Sequence, residues 1–178
     1  DRILCFSYNK RDKKLEDHDI AAHVKPGSGP RHLVFSPNGR YAYLMNELSG
    51  KVIVYSYSDG KLKELQSIAA DNANARGGAD IHVSPDGMFV YASTRLKGDG
   101  ITIFRVGNKG TLTRVGAQLT GKHPRNFAIT PNGNFLLVAC RDDNSIQVYS
   151  RDKDTGLLKN THQDIVLSHP VCVKFYPE

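Results

Sequence analysis

Residues 32–47 read HLVFSPNGRYAYLMNE, with the turn Ser36-Pro37-Asn38-Gly39 at their centre. Apolar runs flank this turn, and its Asn-Gly pair supplies the positive φ of a tight strand reversal, so the stretch predicts a β-hairpin. The turn recurs as Ser84-Pro85-Asp86-Gly87 and Thr130-Pro131-Asn132-Gly133 with matching flanks. The prolines lie 48 and 46 residues apart, and Pro177 ends a fainter copy 46 residues later. The chain is therefore built from repeats.

A second apolar run follows each hairpin, in the forms KVIVYSYS, GITIFRVG and SIQVYSRD, and the opening RILCFSYN is another copy. Each run leads through a polar turn to a weaker strand such as LKELQSIAA, so one period holds four short strands. No segment has the 3.6-residue periodicity of a helix. Four antiparallel strands in each period of 45 to 49 residues predict an all-β fold, the β-propeller.

The repeats also predict how the blades divide the chain. With strands named a to d from the axis outward, residues 1 to about 24 give strands c and d of one blade. Three whole blades follow at 30–70, 78–120 and 124–167, and 170–178 give a last strand a. A ring needs about 4 to 8 blades, so these three and a half predict a partial propeller domain over 1–178. Its open edges would need further blades to cover them.

Composition excludes several classes of protein. The 178 residues carry 24 Lys and Arg against 18 Asp and Glu, a net charge of +6, and 39% hydrophobic residues, as in an ordinary globular chain. No apolar run reaches the roughly 18 residues of a membrane span. The basic residues are scattered, and stacking aromatics do not interleave with them, so neither nucleic acid nor a membrane is expected as a partner.

The cysteines and the N-terminus bear on the compartment. Cys5, Cys140 and Cys172 lack a CxxC spacing and are expected to be reduced and buried, which favours a reducing compartment. We therefore expect a cytoplasmic location. Whether a leader precedes Asp1 is left open, because the sequence does not begin with Met.

Aligned repeats separate structural positions from chemical ones. Apolar columns are alike in every blade, whereas three polar columns differ between blades. Two of these columns enter strand a. The first contains Arg31, Ala79, Arg125 and Val171, and the second contains His32, Asp80, Asn126 and Cys172. The third ends strand b and contains Glu47, Arg95 and Arg141. His82 is also unusual, because its column otherwise holds Val34 and Ala128.

These polar columns converge on one mouth of the predicted ring and form a net positive funnel. Such a funnel suits an anionic small substrate, because arginine grips carboxylate or phosphate with two parallel hydrogen bonds. The predicted catalytic bases toward water are Glu47 and His32. The predicted substrate-binding residues are Arg31, Arg95, Arg125, Asp80 and His82. No cofactor or metal is expected, since no metal-ligand spacing or phosphate-binding loop occurs.

Structural interpretations compete with these roles. Glu47 could pair with Arg31 across blades, Asp80 and His82 could tie strands together, and Arg141 could pair at the surface with its acidic neighbours. His123 and His169 are predicted to lie in turns, and Cys140 is predicted to lie in the core. Surface positions are predicted for His18, His23 and His162.

Several short motifs resemble a known family. The pieces G-P-R-H, N-E-x-x-G, A-D-I-H, S-x-R and H-P-R-x-F occur in this order, and the chain resembles the bacterial propeller-type 6-phosphogluconolactonases, also called the lactonase family. Fungal carboxy-cis,cis-muconate lactonizing enzymes belong to the same family. The likeness covers 1–178 and implies a seven-bladed ring of about twice this length. This chain would then be the C-terminal half, and the missing N-terminal half would be its partner.

The resemblance also implies a site. Arg31 and Glu47, sixteen residues apart, match the Arg and Glu of the family's proposed cleft; Arg125 is a further match, and Arg95 matches a family arginine. A further family histidine belongs to the blade before Arg31. Residues 93–99 read STRLKGD where the family usually has S-N-R-G-H-D.

The implied activity is hydrolysis of a sugar-acid lactone, such as 6-phosphogluconolactone to 6-phosphogluconate, a step of glucose metabolism in the pentose phosphate pathway. Two other functions stay open. One is a cycloisomerase like the muconate lactonizing enzymes, and the other is a non-catalytic propeller that binds a ligand or a protein. The oligomeric state is not predicted.

Overall fold

The computed structural model describes residues 1–71, 73 and 76–176, without the side chains of residues 17 and 18. A two-stranded sheet, called here the partial blade, consists of β1 (Arg2–Asn9) and β2 (Lys14–His23). Blade 1 consists of β3 (Pro30–Phe35), β4 (Tyr41–Asn46), β5 (Lys51–Ser58) and β6 (Lys61–Ala69). Blade 2 consists of β7 (Gly78–Val83), β8 (Phe89–Thr94), β9 (Gly100–Val106) and β10 (Leu112–Leu119). Blade 3 consists of β11 (Pro124–Ile129), β12 (Phe135–Cys140), β13 (Ser145–Arg151), β14 (Leu158–Asn160) and β15 (Ile165–Val166).

Each whole blade is an antiparallel meander in which consecutive strands are neighbours. The strand order is β3-β4-β5-β6 in blade 1, β7-β8-β9-β10 in blade 2 and β11-β12-β13-β14 in blade 3. These sheets confirm the predicted four-stranded antiparallel blades and their place in the sequence. Strand a of each blade is thus β3, β7 or β11.

The recurring turn is fixed by its first residue as well as by its glycine. Gly39 has a φ of 68°, the left-handed value expected of the Asn-Gly pair. The Ser36 hydroxyl accepts the N–H of Tyr41 at 3.0 Å and donates to Asn38 Oδ1 at 2.8 Å. The turns that begin at Ser84 and Thr130 repeat both bonds. The hydroxyl therefore joins the two strands of each hairpin across the turn.

The core lies between the blades rather than within them. One cluster, which includes Tyr43, Met45, Val90 and Phe104, joins blades 1 and 2. A second cluster, centred on Phe89, Tyr91, Phe127 and Tyr149, joins blades 2 and 3. Each sheet therefore buries its faces against its neighbours, and the side-by-side blades carry their polar columns to a common end.

Four features differ from the sequence prediction. Residues 170–176 form no strand, because no described strand lies beside them to complete a ladder; Val173 instead donates its N–H to Asn126 Oδ1 at 2.6 Å. Residues 177 and 178 lie outside the described part of the chain. The outer strand of blade 3 is split into β14 and β15, which both pair with β13. A single 3-10 turn over Arg141–Asp143 ends where Asn144 takes a φ of 51°. Two cysteines are not buried as expected: Cys5 is half-buried, and Cys172 is exposed because it lies in the segment without a ladder.

Candidate functional site

The first residues of the three a strands meet in one cleft. Its volume is about 610 Å³, and it also receives side chains from the segment after Pro170. Its polar and charged lining residues are Arg31, His32, Asp80, His82, Arg125, Asn126 and Lys174. Residues 46 to 48 positions apart thus become neighbours, because adjacent blades stand in the same register.

Asp80 is the buried centre of this cleft, with 3% of its surface exposed. Its Oδ1 lies 2.6 Å from His32 Nδ1, and its Oδ2 lies 3.0 Å from His82 Nε2 and 2.5 Å from Asn126 Nδ2. Burial alone would raise the pKa of Asp80, but the hydrogen bonds from His32 and His82 outweigh burial and hold this pKa well below its usual range. Asp80 is therefore a carboxylate that joins all three blades.

Asp80 also fixes the orientation of His32. Nδ1 of His32 faces the carboxylate of Asp80, which can only accept hydrogen bonds, so the ring proton lies on Nδ1 and Nε2 carries the lone pair. Arg31 Nη1 lies 2.8 Å from Nε2 and 3.4 Å from Nδ1, so the guanidinium lies over the face of the ring and leaves this lone pair free. The side chain of His32 is 43% exposed, so its basic nitrogen is open to the cleft.

Glu47 lies beside the cleft and bridges two arginines. Its Oε2 is 3.4 Å from Arg31 Nε, and its Oε1 is 2.6 Å from Arg95 Nη2. Burial lowers the pKa of Arg31, and the positive charges of Arg95 and Arg125 lower this pKa further. The arginines are thus close enough to repel one another, and the carboxylate of Glu47 offsets part of that repulsion.

Arg95 is the most deeply buried arginine of this group, at 5% exposed. Besides Glu47, it donates to the backbone carbonyls of Gly77 and Gly78, at 3.4 and 3.3 Å. Its Nη1 lies 3.2 Å from His123 Nε2, so every guanidinium nitrogen has a partner. This geometry indicates that Arg95 positions Glu47 and does not itself contact substrate.

His123 connects Arg95 to the surface. Its Nδ1 lies 3.2 Å from the carboxylate of Asp142, which Arg141 Nε contacts at 2.7 Å. Burial lowers the pKa of His123, and the charges of Arg141 and Arg95 lower it further. The predicted surface pairing of Arg141 is confirmed, and it keeps Arg141 out of the cleft.

Two cations in the cleft remain available for a ligand. Arg125 and Lys174 line the cleft, and neither makes a hydrogen bond or an ion pair with the described residues. An anionic group bound there would meet Arg125 and Lys174 directly and Arg31 nearby. The electrostatics of the cleft therefore match the predicted anionic substrate.

Most of the predicted site residues come together, but they divide into two groups. Arg31, His32, Asp80, His82 and Arg125 line the cleft, whereas Glu47 and Arg95 lie beside it. Sequence reasoning missed Asn126, Lys174 and the contact of His123 with Arg95. Asn126 stood in a variable column and could have been found there. No comparable signal marked Lys174.

The remaining sequence predictions concern residues outside the cleft. Cys140 is fully buried, as predicted, and burial raises the pKa of its thiol to about 12. His123 and His169 precede prolines with φ of 60° and 44°, in keeping with the predicted turns. His23 and His162 are exposed, as predicted, and the side chain of His18 lies outside the described residues. Among the described residues, no three His, Cys, Asp or Glu side chains are grouped to hold a metal ion. In the same part of the chain, no helix is long and apolar enough to cross a membrane.

Four-stranded antiparallel blades standing side by side around a polar cleft define a β-propeller. The chain belongs to the lactonase family of seven-bladed β-propellers, whose family model matches residues 1–175. The predicted fold class and the resemblance are both confirmed by this match.

Relatives with known names are similar to nearly the whole chain. A 6-phosphogluconolactonase of Formosa agariphila is 48% identical over 153 residues, which are 83% of this chain and 43% of that protein. One of Bacillus subtilis is 35% identical over 96% of this chain and 50% of its own length. The chain thus spans about half the length of the curated relatives it matches.

Solved structures agree with this relationship. A Bacteroides uniformis protein, provisionally named 6-phosphogluconolactonase, superposes with a TM-score of 0.93 and 57% identity, over 99% of this chain and 52% of that one. The periplasmic gluconolactonase of Pseudomonas aeruginosa superposes with a TM-score of 0.89 and 32% identity, over 99% of this chain and 51% of that one.

Proposed function

We propose that the protein that contains this chain hydrolyses a sugar-acid lactone, with 6-phosphogluconolactone as the preferred substrate. The observation that carries the proposal is the cleft in which a histidine oriented by a buried carboxylate lies beside unpaired cations. The names of the relatives support the same substrate class. The C-terminal half-ring and a cytoplasmic location remain predictions.

His32 is the base in this proposal. Its Nε2 takes a proton from a water molecule as the water oxygen attacks the lactone carbonyl carbon, and Asp80 stabilises the resulting imidazolium through Nδ1. The ring C–O bond then breaks, and His32 returns the proton to the departing oxygen. The products are a hydroxyl and a carboxylic acid, which ionises at neutral pH.

The arginines stabilise the charges of substrate and transition state. Arg31 donates to the developing oxyanion, since its guanidinium lies 2.8 Å from the nitrogen that activates water. Arg125 and Lys174 bind the phosphate, because both cations are free to pair with it. Glu47 and Arg95 hold Arg31 in place, and Glu47 is the alternative base.

The test measures lactone hydrolysis by the full-length protein, with spontaneous hydrolysis subtracted. His32→Gln is expected to lower kcat by about 100-fold or more, the usual contribution of a general base. Arg125→Met is expected to raise KM for the phosphorylated lactone but not for gluconolactone. If Glu47→Gln lowers kcat and His32→Gln does not, then Glu47 is the base. If no lactone is hydrolysed, the proposed activity is wrong.

Labelled water separates hydrolysis from a proton-transferring cycloisomerisation. Hydrolysis in H₂¹⁸O places one labelled oxygen in the product carboxylate, whereas a cycloisomerase consumes no water. Recovery of an unlabelled product would overturn the proposed reaction.

A further inference from the structure

His123 lies between the surface of blade 3 and the arginines beside the cleft. Its side chain is 13% exposed. Its φ of 60° is left-handed, a conformation that a residue other than glycine adopts only where its surroundings hold it, and Pro124 follows as the first residue of β11. The carbonyl of His123 accepts the N–H of Arg141 at 3.2 Å, which ties this turn to the end of β12. The ring is therefore held in one place between blades 2 and 3.

The two neighbours of the ring define its protonation state. Nδ1 lies 3.2 Å from the carboxylate of Asp142, which can only accept a hydrogen bond, so Nδ1 carries the ring proton. Nε2 lies 3.2 Å from Arg95 Nη1, and a guanidinium can only donate, so Nε2 carries the lone pair. Both neighbours thus fit a neutral imidazole. A second proton would have to lie on Nε2 and point at a buried guanidinium.

The charges around His123 favour the same state. The charged and titratable side chains that face the ring come from blade 2, from β11 and from the turn after β12; they are Arg95, Arg125, Arg141, Asp142 and, through Asp142, His169. Asp142 favours a protonated ring, but Arg141 Nε lies 2.7 Å from this carboxylate and offsets its charge. Burial and the charges of the arginines outweigh Asp142 and lower the pKa of His123. His123 is therefore neutral near pH 7.

Arg95 connects His123 to the cleft. Its Nη1 contacts His123, and its Nη2 donates to Glu47 Oε1 at 2.6 Å. The other carboxylate oxygen of Glu47 lies 3.4 Å from Arg31 Nε. Both Nη atoms belong to one planar guanidinium, so a shift of Nη1 also moves the nitrogen that holds Glu47. A continuous series of contacts therefore leads from His123 to Arg31.

We propose that neutral His123 is a positioning residue of the cleft, which through Arg95 and Glu47 fixes the place of Arg31. This inference rests on the proposed function, in which Arg31 stabilises the oxyanion. Without the Nε2 acceptor Arg95 Nη1 loses its partner, and protonation of Nε2 sets a donor and a positive charge against it. In both cases Glu47 and Arg31 lose their alignment. His123 does not line the cleft, so turnover should change more than substrate binding.

The first test measures lactone hydrolysis by the full-length protein at about pH 7.5, above the ordinary histidine pKa of about 6.5. His123→Leu keeps much of the bulk of the ring but offers no acceptor, so kcat should fall about tenfold while KM changes by less than about threefold. His123→Gln places an amide oxygen within reach of Arg95 and should keep both constants within about threefold of the wild type. Unchanged turnover in His123→Leu, or an equal loss in His123→Gln, would overturn the proposal.

His169→Gln is the matched control. His169 also precedes a proline with a left-handed φ, of 44°, but its ring lies 3.1 Å from the Ser168 hydroxyl instead of beside an arginine of the site. This variant should change neither constant.

The pH profile separates positioning from a merely structural role. The base His32 titrates in the wild type and in His123→Gln alike, so the ratio of their kcat values isolates His123. We expect this ratio to fall by up to about tenfold as pH drops below about 6.5, because only the wild type gains a proton at Nε2. A ratio that stays constant while the NMR signals of the His123 ring titrate would refute the assignment.

A measurement without substrate separates failure of this inference from failure of the proposed function. The NMR signal of the Arg95 guanidinium should shift with the same midpoint as the His123 ring, both in the wild type and in His169→Gln, and His123→Gln should lack this shift. If the shift appears but no lactone is hydrolysed, the proposed function fails and the positioning of Arg95 by His123 stands. If Arg95 does not respond while His123 titrates, the inference is wrong whatever the activity.

Discussion

Arg95 of blade 2 donates to Glu47 of blade 1 at 2.6 Å, and Arg95 is the far more buried partner of this pair, at 6% side-chain exposure against 43%. The arginine is thus the fixed element, and the carboxylate is the group that it holds. Because Glu47 also contacts Arg31, the position of the cleft arginine depends on a residue that does not line the cleft.

Replacing Arg95 should therefore change catalysis more than substrate binding. In Arg95→Lys a single ammonium cannot reproduce the planar set of contacts, so Glu47 and Arg31 lose their alignment. We expect kcat to fall about tenfold while KM changes by less than about threefold. Steady-state kinetics on the full-length protein measure both. Arg141→Lys, in the same column but outside the cleft, should change neither.

His123 is expected to make the protein sensitive to mild acid. The pKa of His123 is lowered in the folded state, so the unfolded chain binds a proton more readily, and stability falls as pH drops through the ordinary histidine value of about 6.5. His123→Gln keeps an acceptor for Arg95 but does not titrate. Its thermal midpoint should therefore fall less than that of the wild type between about pH 7 and 5. Parallel curves for the two proteins would contradict this role.

Asp80 is expected to stabilise the folded protein at neutral pH and to lose this effect in acid. Its pKa is lowered by folding, so its contribution is present above the unfolded value of about 3.9 and is lost as pH falls below it. Asp80→Asn should cost about 1–3 kcal/mol at pH 7, because Asn126 and the two histidines lose an acceptor. The difference should shrink toward about pH 3. Asp154→Asn, on an exposed turn, serves as the control, and chemical unfolding at several pH values is the measurement.

Arg151 should carry much of the stability of the junction between blades 2 and 3. Arg151→Met leaves Asp86 without its partner and should cost about 3 kcal/mol in urea unfolding. Arg105 stacks on the Phe89 ring that Arg151 also approaches, at 4.7 Å, but is exposed. Arg105→Met should therefore cost no more than about 1 kcal/mol. Equal losses in the two variants would mean that the buried contacts of Arg151 contribute little.

The sequence was informative wherever one copy of the repeat could be compared with the others. Turn, strand order and blade limits followed from the Ser-Pro-Asn-Gly recurrence, because the same local chemistry occurs three times. The polar columns led to Arg31, His32 and Asp80 for the opposite reason. A position whose residue type differs from blade to blade is not explained by the structure that the blades share, so a role in the site was the remaining interpretation.

Contacts between different columns could not be predicted in this way. His123 reaches Arg95 because its left-handed turn before Pro124 directs the ring toward the neighbouring blade. Lys174 enters the cleft from a segment with no ladder, so no strand pattern located it. The sequence predicted that residues 170–178 would pair as a strand. Only the arrangement of the neighbouring sheets shows that no partner strand for this segment lies among the described residues.

The pairs His32–Asp80 and Glu47–Arg95 each join residues 48 positions apart, and Asn126–Asp80 joins residues 46 positions apart. Each blade can form its own hairpins from local contacts, but none of these three pairs exists until two finished blades dock. Proteins dominated by such non-local contacts fold more slowly, because the entropy of loop closure is lost before the contacts form. We therefore expect the cleft to form only when the blades dock, so that its appearance would report the completion of folding more faithfully than secondary structure does.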